Sequence, residues 1–298
     1  MESILHWGVE TIVWLQQFSP QLDLPFKTLT FLGNEEFFML ILPFVYWSVD
    51  RRTGARLAIL FLFSAYVNTV AKALAGQPRP FQYDKAVQPL IRAGGGGFPS
   101  GHTQSAVVIW GYLAAAFRRP WLWVAAGALI VLIPLSRVYL GVHFPTDLLG
   151  GYLIGTALLL LYLRLEPGVE AWLSKRGLPM QLFLALALPA LLLLLFVAKE
   201  KYVISSAAAL MGTGLGLVLE RRWVGFDAGG GMVMRALRFI LGTAILFALQ
   251  AGLKAAFSGL DPEFLFRFIR YVLIGLWIAL GGPWLFLRLK MAGPDRRP

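Results

Sequence analysis

The amino-acid sequence predicts an all-α fold, a polytopic bundle of membrane-spanning helices, and two observations carry this prediction. Of the 298 residues, 58% are hydrophobic and only 14% are charged, whereas a soluble domain of ordinary composition carries about 25% charged residues. The apolar residues are also grouped into runs of roughly 20, which is the length of helix that crosses a bilayer. The mean hydropathy of +0.68 agrees with this class.

Ten apolar segments are candidates for spanning helices, and polar, glycine or proline residues separate each from the next. They are residues 3–18, 35–49, 54–74, 100–117, 121–139, 146–164, 180–198, 202–219, 234–256 and 263–287. The first segment carries a polar stripe, because Glu2, His6 and Glu10 are spaced four residues apart. It therefore either crosses the membrane or lies along its surface as an amphipathic helix.

Lysine and arginine between the spans predict the orientation of the chain, because cytoplasmic loops are enriched in basic residues. If every span crosses, most basic clusters fall on one side, after the second, fourth, sixth and eighth spans and at the end of the chain. We therefore expect both termini to be cytoplasmic. Lys72, Arg79 and Arg137 then lie on the extracytoplasmic side of what we expect to be a bacterial-type cell membrane.

A change of composition in the middle of the chain predicts two modules. Glu166-Pro167-Gly168 and Arg176-Gly177-Leu178-Pro179 are strong helix-breaking signals on either side of a short amphipathic stretch. We interpret residues 1–165 as one transmembrane module, residues 166–179 as an amphipathic cytoplasmic connector, and residues 180–298 as an additional transmembrane module of about four spans. The alternative interpretation of the connector is an ordinary cytoplasmic loop.

The composition also limits the kinds of site and partner. The chain has no cysteine, which excludes disulfides and thiolate metal sites, and its three histidines argue against a multi-histidine metal site. The net charge of +11 would suit nucleic acid, but basic residues between apolar runs are explained by membrane orientation. We therefore expect no metal and no nucleic-acid partner, and we expect membrane lipids around the chain.

Three polar segments interrupt the apolar pattern at the same predicted membrane level. They are Lys72–Pro80, Pro99–His102 and Ser136–Asp147. Placing an ionisable side chain inside a membrane costs free energy, so such residues usually have a function. Lys72, Arg79 and Arg137 supply three positive charges, which suit a phosphate. Ser100 is a candidate helix N-cap, and Gly101 would let the free N–H groups of that helix end approach an anion.

Two histidines complete the chemistry of these segments. His143 and Asp147 are four residues apart, and Pro145 fits the first turn of the helix that follows His143. A carboxylate on one ring nitrogen fixes the tautomer and makes the other nitrogen more nucleophilic. His102 remains as a second acid–base group near neutral pH. Together the residues predict a site for phosphoryl transfer without a metal.

The three segments, in order, resemble the signature of the type 2 phosphatidic acid phosphatase (PAP2) superfamily. Lys-x6-Arg-Pro, Pro-Ser-Gly-His and Ser-Arg-x5-His-x3-Asp match position by position at residues 72–80, 99–102 and 136–147. The resemblance covers about residues 35–165. It implies a core of six transmembrane helices, which would correspond to the first six spans, with about four additional C-terminal helices outside it.

The resemblance implies a role for each signature residue. His143 looks like the nucleophile that forms a phosphohistidine, and Asp147 looks like its orienting partner. His102 looks like the general acid for the leaving lipid oxygen and then the base for the attacking water. The remaining residues look like the phosphate-binding set, which is Lys72, Arg79, Ser100, Gly101 and Arg137.

The resemblance also implies an activity, with two alternatives left open. An integral membrane lipid phosphatase of this family needs neither Mg²⁺ nor another cofactor. Undecaprenyl diphosphate, phosphatidic acid and phosphatidylglycerol phosphate all fit as lipid phosphate substrates. The first alternative is a lipid phosphotransferase, in which a hydroxyl group replaces water at the same site. The second is a lipid transporter or flippase in which residues 180–298 are the working part.

The C-terminal module contains a second group of candidate binding residues. Lys254, Arg267 and Arg270 fall on the same predicted membrane side as the signature residues. They predict a possible second site for an anionic lipid headgroup. The alternative is that they anchor their helices at the membrane interface.

Overall fold

The computed structural model describes residues 2–196 and 201–295, and in these ranges it consists of helices and connections without a β-strand. The helices are α1 (Glu2–Gln16), α2 (Asp23–Phe31), α3 (Glu35–Phe44), α4 (Arg51–Ala75), α5 (Pro80–Tyr83), α6 (Gly101–Phe117), α7 (Pro120–Tyr139), α8 (Pro145–Ser174), α9 (Leu178–Leu195), α10 (Lys201–Leu219), α11 (Met232–Ala256), α12 (Glu263–Leu276) and α13 (Gly282–Arg288). Short π-helical turns extend α3 (Val45–Val49) and α10 (Glu220–Val224), and a third (Trp277–Gly281) joins α12 to α13. The all-α prediction is confirmed.

Most of the predicted spans are long enough to cross a membrane. Within the described residues, seven helical segments meet this requirement, or eight if Asp23–Phe31 and Glu35–Val49, which meet at 50°, form one bent span. Helices α1 and α6 have only 15 and 17 residues. At about 1.5 Å per residue, α1 is roughly 22 Å long, shorter than a hydrocarbon core of about 30 Å. Its length favours the interfacial alternative for the first segment.

The chain divides into two compact units. The first contains the residues up to Phe38 together with Val67–Arg164, and the second contains Met39–Tyr66 together with the described residues from Leu165 onward. All of the signature residues lie in the first unit. Residues 39–66 group with the second unit, whereas the sequence led us to place them in the N-terminal module.

In the first unit, α1 covers the connection between α7 and α8. Val9 and Ile12 of α1 pack in one buried cluster with Val87, Val138 and Phe144. Gly8 packs so closely against Phe144 that a Cβ added at Gly8 would lie 2.7 Å from the phenyl ring. The amphipathic first helix thus buries the residue that directly follows His143.

Local sequence signals set the starts of the two helices that carry the site. The side chain of Ser100 accepts a hydrogen bond from the Thr103 N–H at 3.4 Å, as the N-cap prediction requires. Pro145 begins α8, where its fixed φ and missing N–H do no harm. His143 therefore lies just outside a helix, at its entrance.

Helix α8 continues through the expected break at Glu166-Pro167-Gly168 and ends only at Ser174. Three ion pairs join this turn to α4. Arg56 forms an ion pair with Glu166 at 2.6 Å and a second with Glu170, and Glu170 also accepts a hydrogen bond from Arg52 at 2.8 Å. The helix thus continues past Pro167, although the proline nitrogen cannot donate a backbone hydrogen bond.

In the second unit, α10 and α12 pack with their backbones in close contact. A Cβ at Gly212 would lie 2.1 Å from the Val272 carbonyl oxygen, and one at Gly275 would lie 2.6 Å from the Thr213 nitrogen. Small residues allow this approach in membrane bundles, where association depends on van der Waals packing. A separate polar cluster joins Arg51 to Glu220 at 3.1 Å and to Asp295 at 2.9 Å.

We expect Gly212→Ala to lower the melting temperature of the detergent-solubilised protein, because the new methyl group meets main-chain atoms that cannot rotate away. The expected loss is about 1–3 kcal/mol of unfolding free energy. Gly214→Ala is the matched control on the same helix, since its Cβ would meet Ala185 only at an ordinary 3.5 Å. Equal melting temperatures for the two variants would contradict the close packing of α10 on α12.

Candidate active site

The site is built around the side chains of His143 and Asp147, which are 2% and 0% exposed. The Nδ1 atom of His143 lies 2.9 Å from Oδ2 of Asp147. The same oxygen accepts the Phe144 N–H at 2.9 Å, and the other carboxylate oxygen accepts from Gln77 Nε2 at 2.7 Å. The carboxylate therefore has a donor on both oxygens, which fixes its orientation toward the imidazole.

Arg79 defines the other side of the imidazole. Its Nη1 lies 3.3 Å from His143 Nε2 and donates to the Val142 carbonyl at 2.7 Å. A guanidinium can only donate and a carboxylate can only accept. The contacts therefore assign the proton of the neutral ring to Nδ1, and they leave Nε2 with its lone pair directed at the cationic side of the site.

The glycine run Gly94–Gly97 lies against the two cations of the first segment. Arg79 donates to the carbonyls of Gly94 and Gly95 at 2.6 and 3.1 Å. Lys72 donates to the carbonyls of Gly96 and Gly97 at 2.8 and 3.0 Å. Four successive carbonyl dipoles thus hold Lys72 and Arg79 in position, and the run is part of the site.

Arg137 is 4% exposed and belongs to the last turn of α7. Its Nη1 donates to the Thr30 hydroxyl, and its Nε has no hydrogen-bond partner within the described residues. A buried arginine with an unused donor is suited to an anion. Arg137 therefore adds a third positive charge to those of Lys72 and Arg79.

The second segment connects the start of α6 to the start of α8. The Ser100 N–H donates to the Asp147 carbonyl at 2.9 Å. A Cβ at Gly101 would lie 2.9 Å from Oδ1 of Asn68, so glycine is also needed here for packing. His102 directs its Nε2 at Oδ1 of Asn34, 3.0 Å away.

Burial lowers the pKa of His143 well below 6.5, and the nearby charges of Arg137, Lys72 and Arg79 lower it further. Desolvation and positive neighbours both disfavour the imidazolium form. The imidazole is therefore neutral at neutral pH, as a nucleophile must be. Among the described residues, no group of three or more His, Cys, Asp or Glu side chains is arranged to hold a metal ion.

The structure brings all eight signature residues into the first unit, and it adds three that the sequence did not single out. Thr30, Asn34 and Gln77 contact Arg137, His102 and Asp147 respectively. Gln77 lies between the signature positions of the first segment. The sequence therefore places it near the site, but it does not show that the side chain reaches Asp147. Thr30 and Asn34 precede the region of resemblance, and no motif marks them.

Two of the three candidate residues of the C-terminal module contact side chains of their own helix. Arg267 forms an ion pair with Glu263, and Arg270 lies over the Tyr271 ring at 5.2 Å. Lys254 is exposed near the end of α11. The second anionic-lipid site stays a prediction.

Two family models match the chain. Residues 53–169 match the PAP2 superfamily, and residues 204–294 match the PAP2 superfamily phosphatase, transmembrane extension. The first match contains all three polar segments. A crystal structure of a transmembrane PAP2-type phosphatidylglycerolphosphate phosphatase from Bacillus subtilis aligns at 25% identity with a TM-score of 0.48, over 57% of this chain and 89% of that one.

Three relatives illustrate the similarity. The chain is 31% identical over 141 residues to sphingosine-1-phosphate phosphatase 2 of Mus musculus, covering 44% of this chain and 38% of the relative. It is 32% identical over 136 residues to phosphatidylglycerophosphatase B of Bacillus subtilis, covering 42% and 64%. It is 31% identical over 118 residues to undecaprenyl-diphosphatase of Sulfolobus acidocaldarius, covering 39% and 56%. The chain thus spans less than two thirds of the length of each.

Selective ¹⁵N-histidine labelling will test the state of His143, because the chain has only three histidines. We expect the His143 signals to report a neutral ring protonated on Nδ1 at pH 7. Half-protonation should occur well below pH 6.5, since burial and the three cations disfavour the charged ring. The resonances are assigned with His6→Ala, His102→Ala and His143→Ala. An Nε2–H tautomer, or a midpoint at or above pH 6.5, would contradict the geometry described for the site.

Proposed function

We propose that this chain, which belongs to the PAP2 superfamily, is an integral membrane phosphatase that hydrolyses a lipid phosphate or diphosphate through a phosphohistidine intermediate. The observation that carries the proposal is the environment of His143. Asp147 accepts at Nδ1, while Nε2 faces Arg79. A phosphate held by Arg79 would therefore bring its phosphorus atom to the unprotonated nitrogen.

In the first step, His143 Nε2 attacks the phosphorus atom. The Nε2–P bond forms as the P–O bond to the lipid breaks, and the electron pair of that bond leaves with the lipid oxygen. His102 donates a proton to this oxygen. Lys72, Arg79 and Arg137 stabilise the negative charge on the transferring group, in a buried site where fixed charges act strongly.

In the second step, a water molecule attacks the phosphohistidine. His102, now neutral, accepts a proton from the water as its oxygen bonds to phosphorus. The Nε2–P bond breaks, its electron pair returns to His143, and inorganic phosphate leaves. With a diphosphate substrate the leaving group of the first step is the lipid monophosphate. Side-chain cations supply the positive charge throughout, so the proposed reaction requires no metal.

The proposed substrate class is a phosphate group on a membrane lipid. The relatives described above carry names for sphingosine 1-phosphate, phosphatidylglycerophosphate and undecaprenyl diphosphate. These lipids differ in backbone and tail but share a terminal phosphate, which is the group that the cationic site would bind. Phosphatidic acid belongs to the same class.

We expect the purified protein to release phosphate from at least one of these four lipids in mixed micelles, without added metal and in the presence of EDTA. His143→Ala should lower the rate by at least about 10³-fold, because removing a catalytic nucleophile can cost on the order of 10⁶-fold in kcat. His6→Ala is the matched control, because this exposed histidine only meets Glu10 at 3.4 Å. An unchanged rate in His143→Ala would refute the proposal.

The same assay identifies the intermediate and the acceptor. His102→Ala should accumulate acid-labile, alkali-stable phosphate on the protein when an aryl phosphate with a good leaving group is supplied, because the variant lacks the base for the second step. The label should be absent from His102→Ala/His143→Ala. If phosphate reaches an added lipid or sugar hydroxyl in preference to water, the phosphotransferase alternative replaces the hydrolase.

We also propose that the site faces the extracytoplasmic side, as the positive-inside rule indicates. The natural absence of cysteine allows single-cysteine labelling. In intact cells, an impermeant maleimide should label Lys85→Cys, near the site, and should label Arg222→Cys only after permeabilisation; both positions are exposed. The opposite labelling pattern would place the site on the cytoplasmic side.

A further inference from the structure

We infer that Asn34, in the turn between α2 and α3, is a positioning residue that holds His102 in the orientation and tautomer needed for proton transfer. This inference rests on the proposed function, since it assigns a role relative to the acid–base group. Asn34 lies outside the three polar segments, and its role follows from four contacts within the first unit.

The first contact is the hydrogen bond itself. Oδ1 of Asn34 lies 3.0 Å from His102 Nε2. An amide oxygen can only accept, so a neutral His102 must carry its proton on Nε2. One acceptor thus selects one of the two tautomers, in the same way that Asp147 selects the tautomer of His143.

The second contact is steric. A Cβ at Gly33 would lie 2.4 Å from Cδ2 of His102 and 2.9 Å from Cγ. The imidazole therefore lies directly against the main chain of the turn. The main chain at Gly33 restricts the ring from one side, and Asn34 binds its Nε2. Together these two contacts fix the orientation of the imidazole.

The third contact anchors Asn34. Its N–H donates to the Phe31 carbonyl at 3.0 Å, and its carbonyl accepts the Phe38 N–H at 3.2 Å. The residue is therefore fixed to the end of α2 and to the start of α3. A side chain on such an anchored backbone can hold a partner with little loss of its own freedom.

The fourth contact connects the same turn to the phosphate-binding residues. Thr30, at the end of α2 and directly before this turn, accepts from Arg137 Nη1 through its hydroxyl. Residues 30–34 therefore hold both the acid–base group and one phosphate-binding arginine. This arrangement would keep the donor at a constant position relative to the phosphorus atom.

The charges that face His102 explain why an acceptor is needed. Burial acts against a charged imidazole at His102, and the positive charges of Arg137, Arg79 and Lys72 add to the effect. Positive neighbours disfavour the imidazolium form, which a general acid must reach. An acceptor at Nε2, which Asn34 Oδ1 supplies, stabilises that form.

The test compares Asn34→Ala with Asn34→Asp on two substrates. For phosphatidic acid, whose alkoxide is a poor leaving group, Asn34→Ala should lower kcat about 10- to 100-fold with little change in KM, a part of the 10²–10⁴-fold that acid–base catalysis supplies. For p-nitrophenyl phosphate, whose leaving group needs no proton, the first-turnover release of nitrophenolate should stay within about threefold of wild type. Asn34→Asp keeps an acceptor oxygen and should retain most of the activity, with the basic limb of its pH profile moved to higher pH.

Thr28→Ala is the matched control on α2, since this exposed hydroxyl bonds only within its own helix, to the Leu24 carbonyl. ¹⁵N-histidine spectra of Asn34→Ala should show a changed tautomer for His102 with the His143 signals retained, which separates loss of positioning from loss of folding. Equal losses on both substrates, or wild-type kcat on phosphatidic acid, would overturn the inference. A wild-type protein that releases no phosphate from any lipid would instead overturn the proposed function.

Discussion

The site depends on the hydrogen bonds of Asp147, because they connect all three polar segments. Its carboxylate accepts from His143 in its own segment and from Gln77 in the first segment. Its carbonyl accepts the N–H of Ser100 in the second segment. A fully buried carboxylate is destabilising unless its oxygens are satisfied. The same bonds that satisfy Asp147 therefore also fix the distances between residues that are far apart in the sequence.

The cations of the site are stabilised in a different way. Apart from the Arg79–His143 contact, the hydrogen bonds described here for Lys72 and Arg79 run to the backbone carbonyls of Gly94–Gly97 and Val142. Carbonyl dipoles hold a cation without neutralising its charge, so the positive potential remains for an anionic ligand. Arg137 likewise donates to an uncharged group, the Thr30 hydroxyl, and its Nε has no hydrogen-bond partner within the described residues. Its positive charge is therefore not neutralised by these contacts. A site built with carboxylates around these cations would have less charge left to bind phosphate.

The N-terminal helices contribute more than their composition suggests. Helix α1 buries Val9 and Ile12 against Phe144, the residue beside the nucleophile. Helix α2 ends in the turn that contacts His102 and Arg137. Both helices precede the region in which the signature lies, yet they form part of the wall and part of the support of the site. The second unit has its own polar cluster around Arg51, Glu220 and Asp295, which contains no signature residue.

Features that depend on neighbouring residues could be predicted from the sequence. Apolar runs predicted the seven described helical segments that are long and apolar enough to cross a membrane, but they did not predict α2. Ser100 and Pro145 predicted two helix starts, and the spacing of His143 and Asp147 predicted their contact. Contacts between residues from distant segments could not be predicted in this way, because they depend on how the helices pack. Gln77 reaches Asp147 across 70 positions and Asn34 reaches His102 across 68. Two further features became visible only in the fold: α8 continues through Pro167, and arginines of α4 pair with Glu166 and Glu170. Periodicity and capping are local properties of a chain, whereas these contacts depend on how its helices pack.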